Sequence, residues 1–125
     1  MSSLSAPQEP GDFFALFKNR VSEMNINWIF PDPEQTEVIT LDRILRGESP
    51  LRLVTHDEDD DSWQFLDGEH VFEEDAVILT LEQMVQFDPS LVFLADLPIG
   101  SFAWRTSLDQ PWRRAVGEPP TDLFD

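Results

Sequence analysis

The chain has 125 residues, with 25 Asp and Glu against 8 Lys and Arg, and a formal net charge of -17 at pH 7. So few basic residues argue against binding to a nucleic-acid backbone or an anionic membrane surface, because both recognise Lys and Arg. The absence of cysteine excludes disulfides, thiol catalysis and Cys-ligated metals. Hydrophobic residues still make up 41% of the chain, enough for one folded domain.

The N-terminal part predicts a flexible leader, one helix and one strand. Residues 1–11 are rich in Ser, Pro and Gly and lack the basic and apolar regions of a signal peptide, so we expect a cytoplasmic protein. Asp12 can cap a helix over about residues 13–24. Residues 26–30 then predict a strand that ends at Pro31.

The next part of the chain predicts short strands separated by turns. Residues 37–41 are a candidate strand, and residues 42–46 fit one helical turn that Gly47 stops. Residues 51–55 and 63–66 are β-prone runs on either side of an acidic segment. This arrangement predicts a hairpin with an acidic loop.

A buried strand and a capped helix are predicted next. The apolar run 76–79 is typical of a buried strand. Thr80 and Gln83 match a capping box, which predicts a helix over about residues 81–87.

The last elements complete the predicted fold. Asp88 can cap a further short helix with Pro89 in its first position, and a final strand is expected over about residues 102–105. The mixture of hairpin-length connections and short helices predicts an α+β fold, a single compact domain with a mainly antiparallel sheet and several short helices. We expect this domain to span residues 12–116, with residues 117–125 as a flexible tail.

The acidic segment invites comparison with a calcium-binding loop. Asp57, Asp59 and Asp61 alternate as the first ligands of an EF-hand do, but Ser62 replaces the required glycine and Gly68 replaces the bidentate glutamate. We therefore predict a solvated hairpin loop without a metal site.

Catalytic patterns are weak. Ser62, His56 and Asp57 contain the residue types of a hydrolase triad, yet the chain lacks a G-x-S-x-G nucleophile motif. Its glycines form no phosphate-binding loop, and carboxylate pairs are inevitable in so acidic a sequence. We expect neither an enzyme nor a cofactor-dependent protein.

Charge is unevenly distributed along the chain. Between Leu53 and Trp104 there is no Lys or Arg. The same block contains thirteen acidic residues, at positions 57, 58, 59, 60, 61, 67, 69, 73, 74, 75, 82, 88 and 96. Such segregation predicts a negative face that attracts a basic protein partner.

Two features suggest the residues of a partner-binding surface: the acidic block and an aromatic–basic cluster at Trp112, Arg113 and Arg114. Tryptophan and arginine are enriched in interface hot spots, although Trp112 can equally close one end of the core. The candidate partner-binding residues are Asp57, Glu58, Asp59, Asp60, Asp61, Trp63, Glu73, Glu74 and Trp112.

Turn residues and aromatics between about residues 36 and 114 carry a family resemblance. They are Trp63-Gln64-Phe65-Leu66-Asp67-Gly68, Asp75-Ala76-Val77, Asp88-Pro89-Ser90-Leu91, Leu94, Leu97-Pro98, Gly100, Ala103-Trp104-Arg105 and Pro111-Trp112. The pattern resembles a family of small uncharacterised bacterial proteins, itself similar to domains proposed as immunity proteins in polymorphic toxin systems. These motifs are structural, so the resemblance transfers no functional residue.

Together these observations predict a non-enzymatic protein-binding domain, of immunity or antitoxin type, that neutralises a basic partner such as a toxin through its acidic surface. The alternative is a regulatory domain that binds a small molecule in a Trp-lined pocket. We expect no nucleic-acid or membrane partner, and the oligomeric state stays open.

Overall fold

Residues 28–124 are described by a computed structural model of the chain. Within this range, six short strands form one sheet, and the helices that accompany them are short. The result is a small α+β domain in which the sheet dominates. The leader and the helix predicted over residues 13–24 lie outside the described residues.

The elements follow one another along the chain with short connections. The strands are β1 (Glu37–Leu41), β2 (Leu53–His56), β3 (Trp63–Leu66), β4 (Ala76–Thr80), β5 (Ser101–Trp104) and β6 (Arg113–Val116). The α-helices are α1 (Asp42–Leu45) and α2 (Leu81–Phe87), and 3-10 helices span Glu73–Asp75 and Pro89–Leu94. The order of strands in the sheet is β4-β1-β3-β2-β5-β6.

The sheet is mixed rather than purely antiparallel: four of its five strand pairs are antiparallel and one is parallel. β1 is parallel to β3, with Ile39 opposite Gln64, and the other neighbouring strands pair antiparallel. In the β2–β3 hairpin, the second strand, β3, is the one that pairs with β1. Because β2 reverses the chain direction, β3 returns parallel to β1.

Two strand assignments also differ from the sequence prediction. Residues 28–30, the described part of the strand expected at 26–30, have no regular structure. Phe30 instead packs edge-on against Trp63, with ring centroids 5.7 Å apart. The apolar side chain at this position therefore belongs to the core without being part of a strand. β6 was not expected, because its exposed arginines lack the alternation typical of a half-buried strand.

One face of the sheet and the helices enclose a single hydrophobic core. The buried cluster combines Val38, Val54, Trp63, Phe65 and Ala103 from the strands with Leu81, Met84, Leu91 and Leu94 from the helices. Burial of such side chains stabilises the fold by about 2 kcal/mol each.

Local capping signals fix where the two main helical segments begin. Thr80 accepts a hydrogen bond from the backbone of Gln83, whose side chain accepts one from the backbone of Thr80, so the predicted capping box is confirmed. Asp88 caps the next segment through the backbone N–H of Ser90, and Pro89 occupies its first turn as predicted.

The C-terminal residues contact the β2–β3 hairpin at the end opposite the acidic loop. The guanidinium of Arg52 lies 4.1 Å from the centroid of the Phe124 ring. Gly68 has a φ of +85° and lies under the same ring, where an added Cβ would come within 2.3 Å of a ring carbon. Glycine at this turn therefore allows both the left-handed backbone and the contact with Phe124. The flexibility expected of residues 117–125 stays a prediction.

Candidate functional site

The acidic loop, residues 57–61, connects β2 to β3 and is shaped by hydrogen bonds of its own side chains. Asp57 accepts hydrogen bonds from Gln64 Nε2 at 2.8 Å and Ser62 Oγ at 3.3 Å. Asp60 accepts one from the backbone N–H of Ser62. Hydrogen bonds from the side chain and backbone of Ser62 lower the pKa of Asp60. Asp61 has a φ of +59°, a conformation that aspartate tolerates better than most residues.

The carboxylates of the acidic loop have no cationic partner among the described residues. Asp57 is half-buried, and Glu58, Asp59, Asp60 and Asp61 are exposed. Within residues 28–124, none of the five takes part in an ion pair. The loop therefore presents a concentrated negative charge to solvent.

Five of the other eight acids in the basic-free block pair with arginines from outside it. This neutralisation was missed at the sequence level because the partners are far apart along the chain. The ion pairs are Arg43 with Asp67 and Asp75, Arg52 with Glu69, Arg105 with Asp88, and Arg114 with Asp96. These pairs reduce the negative face that was predicted from the whole block. Within residues 28–124, the longest run of acids without an ion pair is the acidic loop.

The acidic loop and the predicted residues Glu73 and Glu74 lie at opposite ends of the sheet. The loop precedes β3 and so lies at the end where the parallel strand β1 begins. Glu73 and Glu74 come just before Ala76, which pairs with Leu41 at the other end of β1. A strand of this length separates them by roughly 15 Å. The structure does not bring them into one surface.

Trp63, also predicted to bind a partner, has no exposed surface. Its ring stacks on His56 with 3.9 Å between the centroids and lies 6.1 Å from that of Phe65. Trp63 is therefore a core residue, and a partner docked on this surface does not reach it.

His56 and Ser62 do not form the catalytic pair that their types suggested. Nδ1 of the buried His56 lies 2.8 Å from the carbonyl oxygen of Leu97 and donates a hydrogen bond to it. The hydroxyl of Ser62 donates to Asp57 instead. Within residues 28–124, no group of three or more His, Cys, Asp or Glu residues has an arrangement that holds a metal ion.

Trp112 belongs to a polar cluster at the edge of the core. Its Nε1 donates to Ser90 Oγ at 3.0 Å, and the Arg105 guanidinium lies 4.2 Å from its ring centroid. Arg105 is buried and donates to Asp88 Oδ2 at 2.5 Å and to the carbonyl of Leu51 at 3.0 Å. This geometry matches the interpretation in which Trp112 closes one end of the core.

An open cleft of about 550 Å³ lies beside this cluster. Trp112, Phe93, Leu94 and Pro111 supply its apolar lining, and Arg114 lies at its side. Trp63, in the core, is not among the lining residues. The sequence suggested a pocket lined by tryptophans, whereas this cleft is open and contains one tryptophan, Trp112, in its lining.

A buried ion pair between Arg43 and Asp67 supports the fold at the end of the sheet away from the acidic loop. Asp67 is completely buried and accepts hydrogen bonds from Arg43, from Ser49 Oγ at 2.6 Å and from the backbone of Glu69. Burial alone would raise the pKa of Asp67, but these hydrogen bonds outweigh it and lower the pKa to about 2. This carboxylate is consequently a structural group rather than a binding group.

Comparison of the chain with models of protein families, with curated proteins and with solved structures finds no match. No helix in the described part of the chain has the length and hydrophobicity needed to cross a membrane.

Proposed function

We propose that the chain is a non-enzymatic protein-binding domain that docks its acidic loop, residues 57–61, onto a basic protein surface. The observation that carries the proposal is the contrast between this run of five carboxylates and the acids of the same block that pair with arginines. Arginines neutralise Asp67, Asp88 and Asp96, whereas the five carboxylates of the loop pair with no cation in residues 28–124.

The shape of the acidic loop favours recognition of a surface. It is held by the β2–β3 hairpin, in which His56 lies opposite Trp63 at the start of the loop. The backbone N–H of Asp57 donates to the carbonyl of Ser62 at 2.8 Å, which closes the loop. A loop on a rigid hairpin loses little conformational entropy when it binds. Electrostatic attraction then accelerates encounter with a cationic partner.

An immunity or antitoxin-like role, as implied by the sequence resemblance, is one form of this function. In that case the partner is a basic toxin whose cationic surface is covered by the acidic loop. Such an inhibitor requires no catalytic group of its own.

The test compares three immobilised proteins as baits for lysate of the source organism. One is the wild type, and the second is a loop variant with Glu58→Gln, Asp59→Asn, Asp60→Asn and Asp61→Asn. The third is a control variant with Glu48→Gln, Glu73→Gln, Glu74→Gln and Asp122→Asn, which removes the same charge from exposed sites away from the loop. Bound proteins are identified by mass spectrometry and eluted with rising salt.

We expect the wild type and the control variant to retain the same basic protein at about 50 mM salt, and the loop variant to lose it. The retained protein should elute as salt rises, because surface charges are then screened. Equal loss from both variants would show that only net charge matters. No salt-sensitive partner for the wild type would also contradict the proposal.

A further inference from the structure

β6 is the last strand of the described sheet and pairs with β5 on one side only. Next to it, the backbone N–H of Gly117 donates to the carbonyl of Gly100 at 2.7 Å. Hydrogen-bonded pairs alternate with non-hydrogen-bonded pairs along an antiparallel ladder. Ala115, opposite Phe102, and Arg113 are therefore the residues of β6 whose backbone groups turn toward β5.

Arg114 and Val116 consequently direct their backbone N–H and C=O groups away from the sheet. An exposed row of such groups is a template for pairing with another extended chain. The side chain of Val116 is 87% exposed, so nothing in the described part of the chain covers this edge. The free edge of β6 can therefore accept a further strand.

The charge of this edge differs from that of the molecule as a whole. Within residues 28–124, Arg113 forms no ion pair, whereas each of the other arginines contacts a carboxylate. Arg114 folds back, donating to the carbonyl of Phe93 at 2.8 Å and to Asp96 at 3.0 Å. A guanidinium that has no carboxylate partner in the described part of the chain thus lies beside the outward backbone groups, and it favours an acidic partner.

Apolar side chains are exposed beside the same edge. Phe93 is 73% exposed and, with Trp112, lines the cleft of about 550 Å³ beside Arg114. Trp112 immediately precedes β6, so a strand that pairs with β6 and continues past Arg113 reaches this cleft. Aromatic and aliphatic side chains suit such a lining.

We propose that β6 binds an extended acidic segment of another protein as a seventh strand. The segment hydrogen-bonds to the backbone of Arg114 and Val116, places a carboxylate opposite Arg113 and inserts an apolar side chain beside Trp112. A second copy of this chain is disfavoured, because pairing two β6 strands would bring their arginines together. Each copy also carries a net charge of -17.

The test uses a synthetic hexapeptide, acetyl-Thr-Val-Thr-Thr-Glu-Phe-amide, written to pair antiparallel with β6. Its Val lies opposite Val116, its Glu opposite Arg113 and its Phe beside the cleft. Titration into ¹⁵N-labelled protein should shift the amide signals of Arg114 and Val116, with a dissociation constant on the order of 1 mM. Replacing the peptide Glu with Lys should weaken binding about fivefold.

A proline substitution separates strand pairing from simple surface contact. Val116→Pro removes an outward N–H without removing a bond to β5, so it should abolish binding. Ile78→Pro is the matched control in β4, the strand at the opposite edge of the sheet. The N–H of Leu81 donates to the carbonyl of Thr36. Because hydrogen-bonded and non-hydrogen-bonded pairs alternate along the strand, the N–H of Ile78 points away from β1. This variant should bind the peptide as the wild type does.

The charge-reversal variant Arg113→Glu tests the contact between position 113 and the peptide carboxylate without changing the backbone. This variant should bind the Lys peptide more tightly than the Glu peptide. The absence of any shift up to about 5 mM peptide would overturn the proposal. Binding that survives Val116→Pro in a folded variant would do the same. Either result would mean that the edge of β6 does not bind this peptide as an added strand.

Discussion

Arg43 donates two hydrogen bonds to the buried carboxylate of Asp67, from Nε to Oδ2 at 2.6 Å and from Nη2 to Oδ1 at 3.0 Å. The same guanidinium contacts Asp75 and the carbonyl of His70. One arginine therefore joins α1, the turn after β3 and the 3-10 helix before β4. This bidentate pair organises the end of the sheet that lies away from the acidic loop.

Substitution of Asp67 by Asn should lower the free energy of unfolding by about 3 kcal/mol, because it leaves the guanidinium of Arg43 without its buried countercharge. Urea denaturation measures the change. Asp42→Asn is the control, since it breaks the exposed pair with Arg46 and should cost less than about 1 kcal/mol. Equal effects of the two substitutions would contradict a structural role for the buried pair.

Asp67 should also make stability depend on pH in the acid range. Its pKa is lowered from 3.8 to about 2 in the folded state. The stabilisation is therefore complete above pH 3.8 and is lost as the pH falls toward 2. This corresponds to about 2 kcal/mol. Urea denaturation between pH 5 and 2 should show a steeper loss for the wild type than for Asp67→Asn, and identical slopes would exclude this linkage.

The elements that the sequence predicted well are those with signals only a few residues apart. Thr80 and Gln83 identify the start of α2 because both members of the capping box lie within one helical turn. Thr80→Ala should lower the free energy of unfolding by about 1 kcal/mol. Urea denaturation tests this, and Thr121→Ala in the exposed C-terminal segment should have little effect. A neutral Thr80→Ala would mean that packing alone fixes α2.

The features that the sequence did not reveal depend on residues distant in the chain. Arg43 and Asp67 are 24 positions apart, so the basic-free block suggested a broad negative face that the fold partly neutralises. The parallel pairing of β1 with β3 depends on which hairpin strand lies beside β1, and short-range patterns do not encode that choice. Trp63 was included among the candidate partner-binding residues, although the alternation within β3 directs it into the core.

The cluster at Trp112 offers a graded test of its structural role. Trp112→Phe keeps an aromatic ring over Arg105 but loses the hydrogen bond to Ser90, and should cost about 1 kcal/mol. Trp112→Ala also removes the cation–π contact and apolar packing, and should cost about 3 kcal/mol. Urea denaturation of both variants gives the two values. Equal losses would show that the ring contributes nothing beyond its hydrogen bond.

Removing charge from the acidic loop should not destabilise the fold, because the loop carboxylates repel one another and pair with no cation in residues 28–124. The loop variant Glu58→Gln, Asp59→Asn, Asp60→Asn and Asp61→Asn keeps Asp57, which accepts the hydrogen bond from Gln64. Asparagine also tolerates the left-handed backbone at position 61. Stability in low salt should therefore be unchanged or raised by up to about 1 kcal/mol.

Urea denaturation at low and high salt distinguishes this repulsion from a structural role. A gain due to relieved repulsion should disappear at about 1 M salt, where the Debye length is about 3 Å. A loss of stability at both salt concentrations would mean that the loop carboxylates support the hairpin. With stability retained, loss of a partner by this variant reports on the binding surface itself, since the fold that presents the loop is intact.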